Sequence, residues 1–324
     1  MKAMMYTETG GLDVLKIQDI KKPVPGDDQV LIQVKAGALN VADYQRFESG
    51  NNKVSVKNRM MNFFMGFNHA PIGAEIAGVV VETGKNISHV KVGDSVFGKV
   101  AGTFPKGGFA EYALMDKERV GVMPDNYTYE QAASVSICFE TALGAIRKGN
   151  VKAGMDVMVY GASGGVGLFT AQLAKAIGAN VTGVCSTRNV DILKEIGIDT
   201  IIDYKTSDFT RCDKKFDVII GVNGYNPMKK YKQLLKDNGI FVGVGGAKQG
   251  FHAMGCSFFD KHFTYLAGMA TIQDGYLKYA KELAESGKIT PVIDKEFSIY
   301  DVKDAINYLL KNHAQGKVVV KMDF

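Results

Sequence analysis

Cysteine is scarce and scattered in this chain. Four occur in 324 residues, Cys138, Cys185, Cys212 and Cys256, and no two form a C-x-x-C pair. That spacing excludes a disulfide framework and a cysteine-rich zinc site, and leaves buried free thiols as the expectation. Also missing is any apolar run approaching the roughly 20 residues that cross a bilayer. The opening stretch MKAMMYTETGG has no apolar centre of the kind a secretory signal carries, so the cytoplasm is the expected location. The net charge is a modest +5, and no run of Lys and Arg is interleaved with aromatics. Nucleic acid is therefore not the expected partner, whereas a phosphorylated small ligand suits such a balance. There is no internal repeat and no low-complexity tract.

Hydrophobic residues make up 46% and charged residues 23%, enough for a sizeable core, and the length suggests two domains. The first third reads as short strands broken by glycine. QVLIQVKAGALN sets Val30, Ile32 and Val34 on one face against Gln33 and Lys35 on the other. GAEIAGVVVETG and VGDSVFGKV follow the same period, and KKPVPGDD is a turn. A compact all-β barrel is expected here. One segment, NNKVSVKNRMMNFFMGFNHAP, carries Met60, Met61, Phe63, Phe64, Met65 and Phe67, and reads as core, as a lid or as the wall of an apolar pocket.

From about Tyr127 the period changes. TYEQAASVSICFETALGAIRKG is helical in spacing. Strands are expected at Val157–Tyr160, Val181–Val184, Ile201–Tyr204, Phe216–Ile220, Ile240–Val244 and Phe263–Gly268, with helices between the early ones. Alternation of this kind predicts a parallel sheet covered on both faces. Two amphipathic helices follow residue 268, and a last strand, KVVVKM, has no evident place in that sheet; a return to the first domain would accommodate it.

The segment after Tyr160 carries the functional signal. Ala162-Ser163-Gly164-Gly165-Val166-Gly167 matches G/A-x-G-x-x-G between a strand and a helix. The small residue at 162 permits the tight turn, Gly164 lets a pyrophosphate approach the backbone, and Gly167 lets the helix pack close to the strand. The helix N-terminus then favours the phosphate charge. An NAD site places Asp or Glu at the end of the second strand. Here the chain reads Cys185-Ser186-Thr187-Arg188, with no carboxylate along it until Asp191. Two hydroxyls and a guanidinium suit a 2′-phosphate, so NADPH is the expected cofactor and Arg188 its clamp, with Ser186 and Thr187 beside it. Tyr204, ending the third strand, lies either by the adenosine or in packing on the sheet.

Taken together, the β-rich N-terminal third, GASGGVG and GKVVVKM resemble the medium-chain dehydrogenase/reductase superfamily over essentially the whole chain. GALNVADY, PIGAEIAGVVVETG, VGDSVFG and GGFAEYA are similar to its zinc-independent quinone oxidoreductase branch, including bacterial and chloroplast-envelope homologues. The resemblance implies an α/β chain with a Rossmann-type doubly wound parallel sheet and a GroES-like β-barrel domain. It divides the chain into a GroES-like catalytic domain, 1–125 and 268–324, and a dinucleotide-binding domain, 126–267. It also implies that no catalytic metal is held, because Asn40 stands where zinc-dependent members carry Cys, and Ala74 where they carry the His of a His-Glu pair. DSVFGKVAGTFPKGGFA, where their four-cysteine lobe falls, has no Cys.

The expected reaction is hydride transfer from NADPH to a quinone or an α,β-unsaturated carbonyl, whose conjugation spreads the arriving charge without a Lewis acid. The alternatives are a metal-free ketone or aldehyde reductase and a non-catalytic NADPH-binding structural or regulatory protein. By the resemblance, Asn40 lies at the nicotinamide end and binds cofactor or substrate, or else is a strand-end Asn satisfying a turn. Asp43 and Tyr44 follow it, and Tyr44 either donates to the carbonyl oxygen or packs in the barrel. Asp43 either orders the loop or acts in proton transfer, and Tyr44 or Gln45 supplies a donor unless solvent does. Thr141, Gly245, Gly246 and Lys317 are the further cofactor contacts implied, Lys317 by a reach to the phosphate or ribose unless it is a solvated strand-start residue. A homodimer through the edge strand beginning at Phe263 is the expected assembly.

Overall fold

The computed structural model describes residues 1–8, 11–44, 70–102, 107–244, 247–266, 275–312 and 314–324. The 60–67 segment, Gln45, Gly245 and Gly246 lie outside the described residues. The chain folds into two compact units: Met1–Ile137 with Leu277–Glu285 and Ile293–Phe324, and Cys138–Tyr276 with Ser286–Val292.

The first unit is built on a sheet whose strands run, in order, Ile293–Ser298, Lys317–Lys321, Gln29–Leu39, Glu75–Thr83, Ser95–Lys99 and Val120–Val122, with Tyr112–Asp116 also paired to Gln29–Leu39. A smaller sheet orders Leu15–Asp19, Lys2–Tyr6 and Ala70–Pro71. Val30, Ile32 and Val34 are buried as their period-two spacing predicts, and Lys35 is exposed. Leu31 is buried as well, next to a register shift between Leu31 and Ile32. The C-terminal strand finds its place here: Val318, Val319 and Val320 pair antiparallel with Leu39, Ala38 and Gly37. Strand Ile293–Ser298 escapes the sequence reading, because its two central residues, Lys295 and Glu296, are charged and exposed at the sheet edge.

One core joins both ends of the sequence. Met4, Tyr6, Leu15, Leu39 and Phe109 pack with Ile299, Val302, Ile306, Val318 and Val320. Each fully buried side chain of this size contributes about 1.5–3 kcal/mol of transfer free energy. The C-terminal strand is thus held by its ladder and by its alternate apolar residues together.

The second unit is a parallel sheet in the order Thr200–Asp203, Asn180–Cys185, Asp156–Tyr160, Phe216–Gly221, Leu235–Gly243 and Phe263–Tyr265. The strand order reverses direction at Asp156–Tyr160, which places the topological switch beside the glycine turn. Met158, Phe216, Ile219, Tyr231 and Phe241 form the core on one face. The helical stretch after Tyr127 is two helices, Tyr129–Ala133 and Ser136–Lys148. Thr128 and Gln131 form a capping box at the start of the first. The break follows from Ser134, whose hydroxyl and backbone N–H both bond back to the Gln131 carbonyl.

Candidate cofactor and ligand-binding sites

Strand Asp156–Tyr160 ends in Gly161, whose φ of 82° is the left-handed region open to glycine. The N–H groups of Gly161 and Ala162 both donate to the Val184 carbonyl at 3.1 Å, which ties the turn to the neighbouring strand. Gly164 then caps helix Gly165–Ile177 with no side-chain hydrogen bond. The two glycines of this turn do different work. A Cβ on Gly167 would lie 2.1 Å from the Gly161 carbonyl oxygen, so close approach of helix to turn demands glycine there. A Cβ on Gly164 would meet nothing nearer than that same oxygen at 4.0 Å, so the space over the helix start is open. An open helix N-terminus without a side-chain cap fits the pyrophosphate of a dinucleotide.

Asn189 organises the residues around that turn. Its Nδ2 donates to Ser163 Oγ at 2.7 Å and to Ser186 Oγ at 3.2 Å. It is buried between the turn and the end of strand Asn180–Cys185, outside the residues that the glycine motif singles out. The only local signal is an Asn ending a short 3-10 turn.

Thr187 and Arg188 are exposed on that 3-10 turn, Thr187–Asn189. The Thr187 hydroxyl donates to Asp203 Oδ2 at 2.6 Å. That hydrogen bond, followed by one from the Lys205 backbone N–H, holds the Asp203 carboxyl below its ordinary range. A carboxylate is thus present beside the second strand, supplied by the third: Cys185 and Asp203 are register partners. A reading along the chain alone finds only Asp191. Cys185 itself is buried, and its thiol is pushed up to about 11 by burial and then by the Asp203 charge, so it is inert at neutral pH. Tyr204, half-exposed, stacks with Tyr160 at a centroid distance of 6.5 Å. Both line a cavity of about 420 Å³ with Lys205, Asn226 and Lys230. Thr141 lies on helix Ser136–Lys148, partly buried.

The first unit holds a separate polar cluster. Glu75 is fully buried, and four donors saturate its carboxylate. Lys317 Nζ at 2.7 Å and Asn40 Nδ2 at 2.9 Å reach Oε1; Ser136 Oγ at 3.1 Å and the Ile137 N–H at 2.8 Å reach Oε2. The last two belong to the first turn of a helix, where a carboxylate is favoured. Lys317 Nζ also donates to Asn40 Oδ1 at 2.7 Å and to the Leu39 carbonyl at 3.1 Å. Lys317 is buried and so is not a solvated strand-start lysine; its ammonium is held by Glu75, Asn40 and the Leu39 carbonyl. Removing one member of such a buried pair costs about 3–5 kcal/mol. Asp43, also buried, accepts the Asn40 N–H at 2.8 Å through Oδ2, and so orders the short helix Val41–Tyr44.

These residues do not fit zinc. At the three matched positions stand an amide, an alanine and a carboxylate whose oxygens are already committed to an ammonium, an amide and two helix-start donors. Zinc takes thiolate, imidazole or carboxylate lone pairs, and none is left.

Residues 26–125 match the alcohol dehydrogenase GroES-like domain, and residues 196–320 match the zinc-binding dehydrogenase family. The chain is 33% identical to 2-methylene-furan-3-one reductase of Solanum lycopersicum, over 99% of this chain and 79% of that one. It is 32% identical to the chloroplastic NADPH-dependent alkenal/one oxidoreductase of Arabidopsis thaliana, with the same coverage. Its fold matches that of the quinone oxidoreductase from Coxiella burnetii with a TM-score of 0.86, at 27% identity and 99% coverage of both chains. The chain therefore belongs to the medium-chain dehydrogenase/reductase superfamily, among the homologues of its quinone oxidoreductases.

Proposed function

We propose that this protein binds NADPH and reduces an α,β-unsaturated carbonyl or a quinone without a metal ion. The observation that carries the reading is the turn Gly161–Gly167, open over an uncapped helix start at the switch point of a parallel sheet. The relatives named for alkenal/one, furanone and quinone reduction support the acceptor class. When bound, NADPH supplies the hydride.

The chain's residues divide the remaining work. Ala162, Ser163, Gly164, Gly165, Val166 and Gly167 seat the pyrophosphate on backbone N–H groups. Ser186, Thr187 and Arg188 face the 2′-phosphate, with Tyr204 by the adenosine. Thr141, Gly245 and Gly246 serve the nicotinamide end. Asn40 meets the ligand, Asp43 holds the Asn40 loop, and Tyr44 or Gln45 donates to the acceptor oxygen, stabilising the charge that develops there. Lys317, which the resemblance sets at the cofactor phosphate or ribose, bonds to Asn40 and Glu75.

The free thiols suit a reducing cytoplasm. A homodimer is part of this reading. Strand Phe263–Tyr265 ends the sheet, and Phe258 and Phe259 just before it are 78% and 93% exposed, an apolar pair that a second copy would cover.

The test is NADPH consumption with a quinone, an enone and a saturated ketone, each in EDTA. Turnover of the enone or quinone supports the reading. Turnover of the ketone alone makes the protein a ketone or aldehyde reductase, and tight NADPH binding without turnover makes it a non-catalytic binder.

A further inference from the structure

Asn40 lies between two buried charges, and their chemistry fixes which way its amide points. An ammonium only donates, so the atom facing Lys317 Nζ at 2.7 Å is the carbonyl oxygen Oδ1. A carboxylate only accepts, so the atom facing Glu75 Oε1 at 2.9 Å is Nδ2. The second Nδ2 hydrogen points to the Ala38 carbonyl at 3.3 Å, and the Asn40 backbone N–H is taken by Asp43 at 2.8 Å. Rotating the amide by half a turn would set an NH2 against an ammonium and an oxygen against a carboxylate. Both contacts would become repulsive in a buried, low-dielectric place. What Asn40 still has to offer a ligand is the remaining lone pair of Oδ1.

We infer that Lys317 is a positioning residue: with Glu75 it locks the Asn40 amide so that Asn40 presents an acceptor and no donor, and Lys317 itself makes no phosphate contact. The inference rests on the proposed reading that Asn40 meets the bound ligand. The ligand group it receives is then a hydrogen-bond donor, such as a ribose hydroxyl or a carboxamide N–H, and never the enolate or quinone oxygen that gains charge. That oxygen needs a donor from elsewhere. The lock joins residues 242 positions apart, Lys317 and Glu75, so no local motif announces it.

Two arms test this. In the first, the Asn40 side-chain NH2 pair is assigned in 15N-labelled protein by its loss in Asn40→Ala, and its hydrogen exchange is measured. The lock predicts a pair protected at least about tenfold relative to an exposed Asn, because both hydrogens are bonded within the protein. In the second, the paired variant Lys317→Met/Glu75→Gln removes both charges together, so that neither is left buried alone. It frees the amide to turn. The expected result is loss of the Asn40 protection, a fall in kcat of about tenfold or more with KM for the acceptor nearly unchanged, and the same salt dependence of NADPH binding as the parent. A flattened salt dependence with weaker NADPH binding would mean that Lys317 does contact a phosphate, and would overturn the inference. So would an unprotected Asn40 amide in the parent protein, a result that needs no variant to fold. A parent that turns over no acceptor yet shows the protected pair sinks the functional reading and leaves the lock in place.

Discussion

The hydroxyl of Thr187 is bonded to the carboxylate of Asp203, 2.6 Å away, on the turn proposed to face the 2′-phosphate of NADPH. The proton of Thr187 is committed to an acid, and that acid carries a charge of the same sign as the phosphate. Under the proposed assignment, Arg188 on the same turn favours NADPH against this local opposition.

Replacement of Asp203 by Asn therefore tightens NADPH. Exposed charges interact weakly, so the expected gain is modest, about 1.5-fold to fivefold, with NADH less affected. Fluorescence titration of both cofactors checks it. Equal gains for both would mean that Asp203 does not sense the 2′ position.

Arg188→Ala weakens NADPH by about 1.5–3 kcal/mol, the range of hydrogen bonds to charged groups, and leaves NADH nearly unchanged. A parallel loss for both cofactors removes the role assigned to this guanidinium.

Two glycine-to-alanine changes in one turn separate folding from binding. At Gly167 the new methyl collides with the Gly161 oxygen at 2.1 Å, so the helix must shift. Overpacking of this sort costs about 1–3 kcal/mol and lowers Tm by several degrees. At Gly164 the methyl enters open space at an extended φ of −83°, so Tm is unchanged, but the same methyl stands where a pyrophosphate would approach, and NADPH binding falls by about tenfold or more. A Gly164→Ala protein with native cofactor affinity would contradict the assigned seat.

Elemental analysis of protein prepared with added zinc finds well under one zinc per chain, because the four lone-pair directions of Glu75 are filled. Stoichiometric zinc would reopen Lewis-acid chemistry for this chain.

Light scattering at micromolar concentration gives twice the chain mass if the edge strand and Phe258–Phe259 are covered by a second copy. Phe259→Asp then shifts the mass towards that of one chain. A parent protein of single-chain mass would refute the dimer.

Much of this architecture is legible without coordinates. The strand before Gly161, the helix after it and the alternation that follows specify a parallel sheet, because period and glycine placement are local properties. The destination of KVVVKM is less direct. It follows by exclusion from the second sheet, and the register of Val318 with Leu39 supplies the pairing. Two features escape local reading altogether. Asp203 reaches Thr187 across adjacent strands, and Lys317 reaches Glu75 across almost the whole sequence. Residues that adjoin only through a sheet leave no spacing to read. The break at Ser134 is of another kind: a single hydroxyl competes with the helix for one carbonyl, which helical periodicity does not register.

The central claim is transfer of hydride from NADPH to a conjugated acceptor without a metal. It is tested most directly with NADPH deuterated at the transferring position of nicotinamide C4, an enone and EDTA, followed by NMR of the product. The account predicts deuterium on the β-carbon of a saturated ketone. Deuterium on the carbonyl carbon of an allylic alcohol, or reduction that stops when EDTA is added, would contradict it.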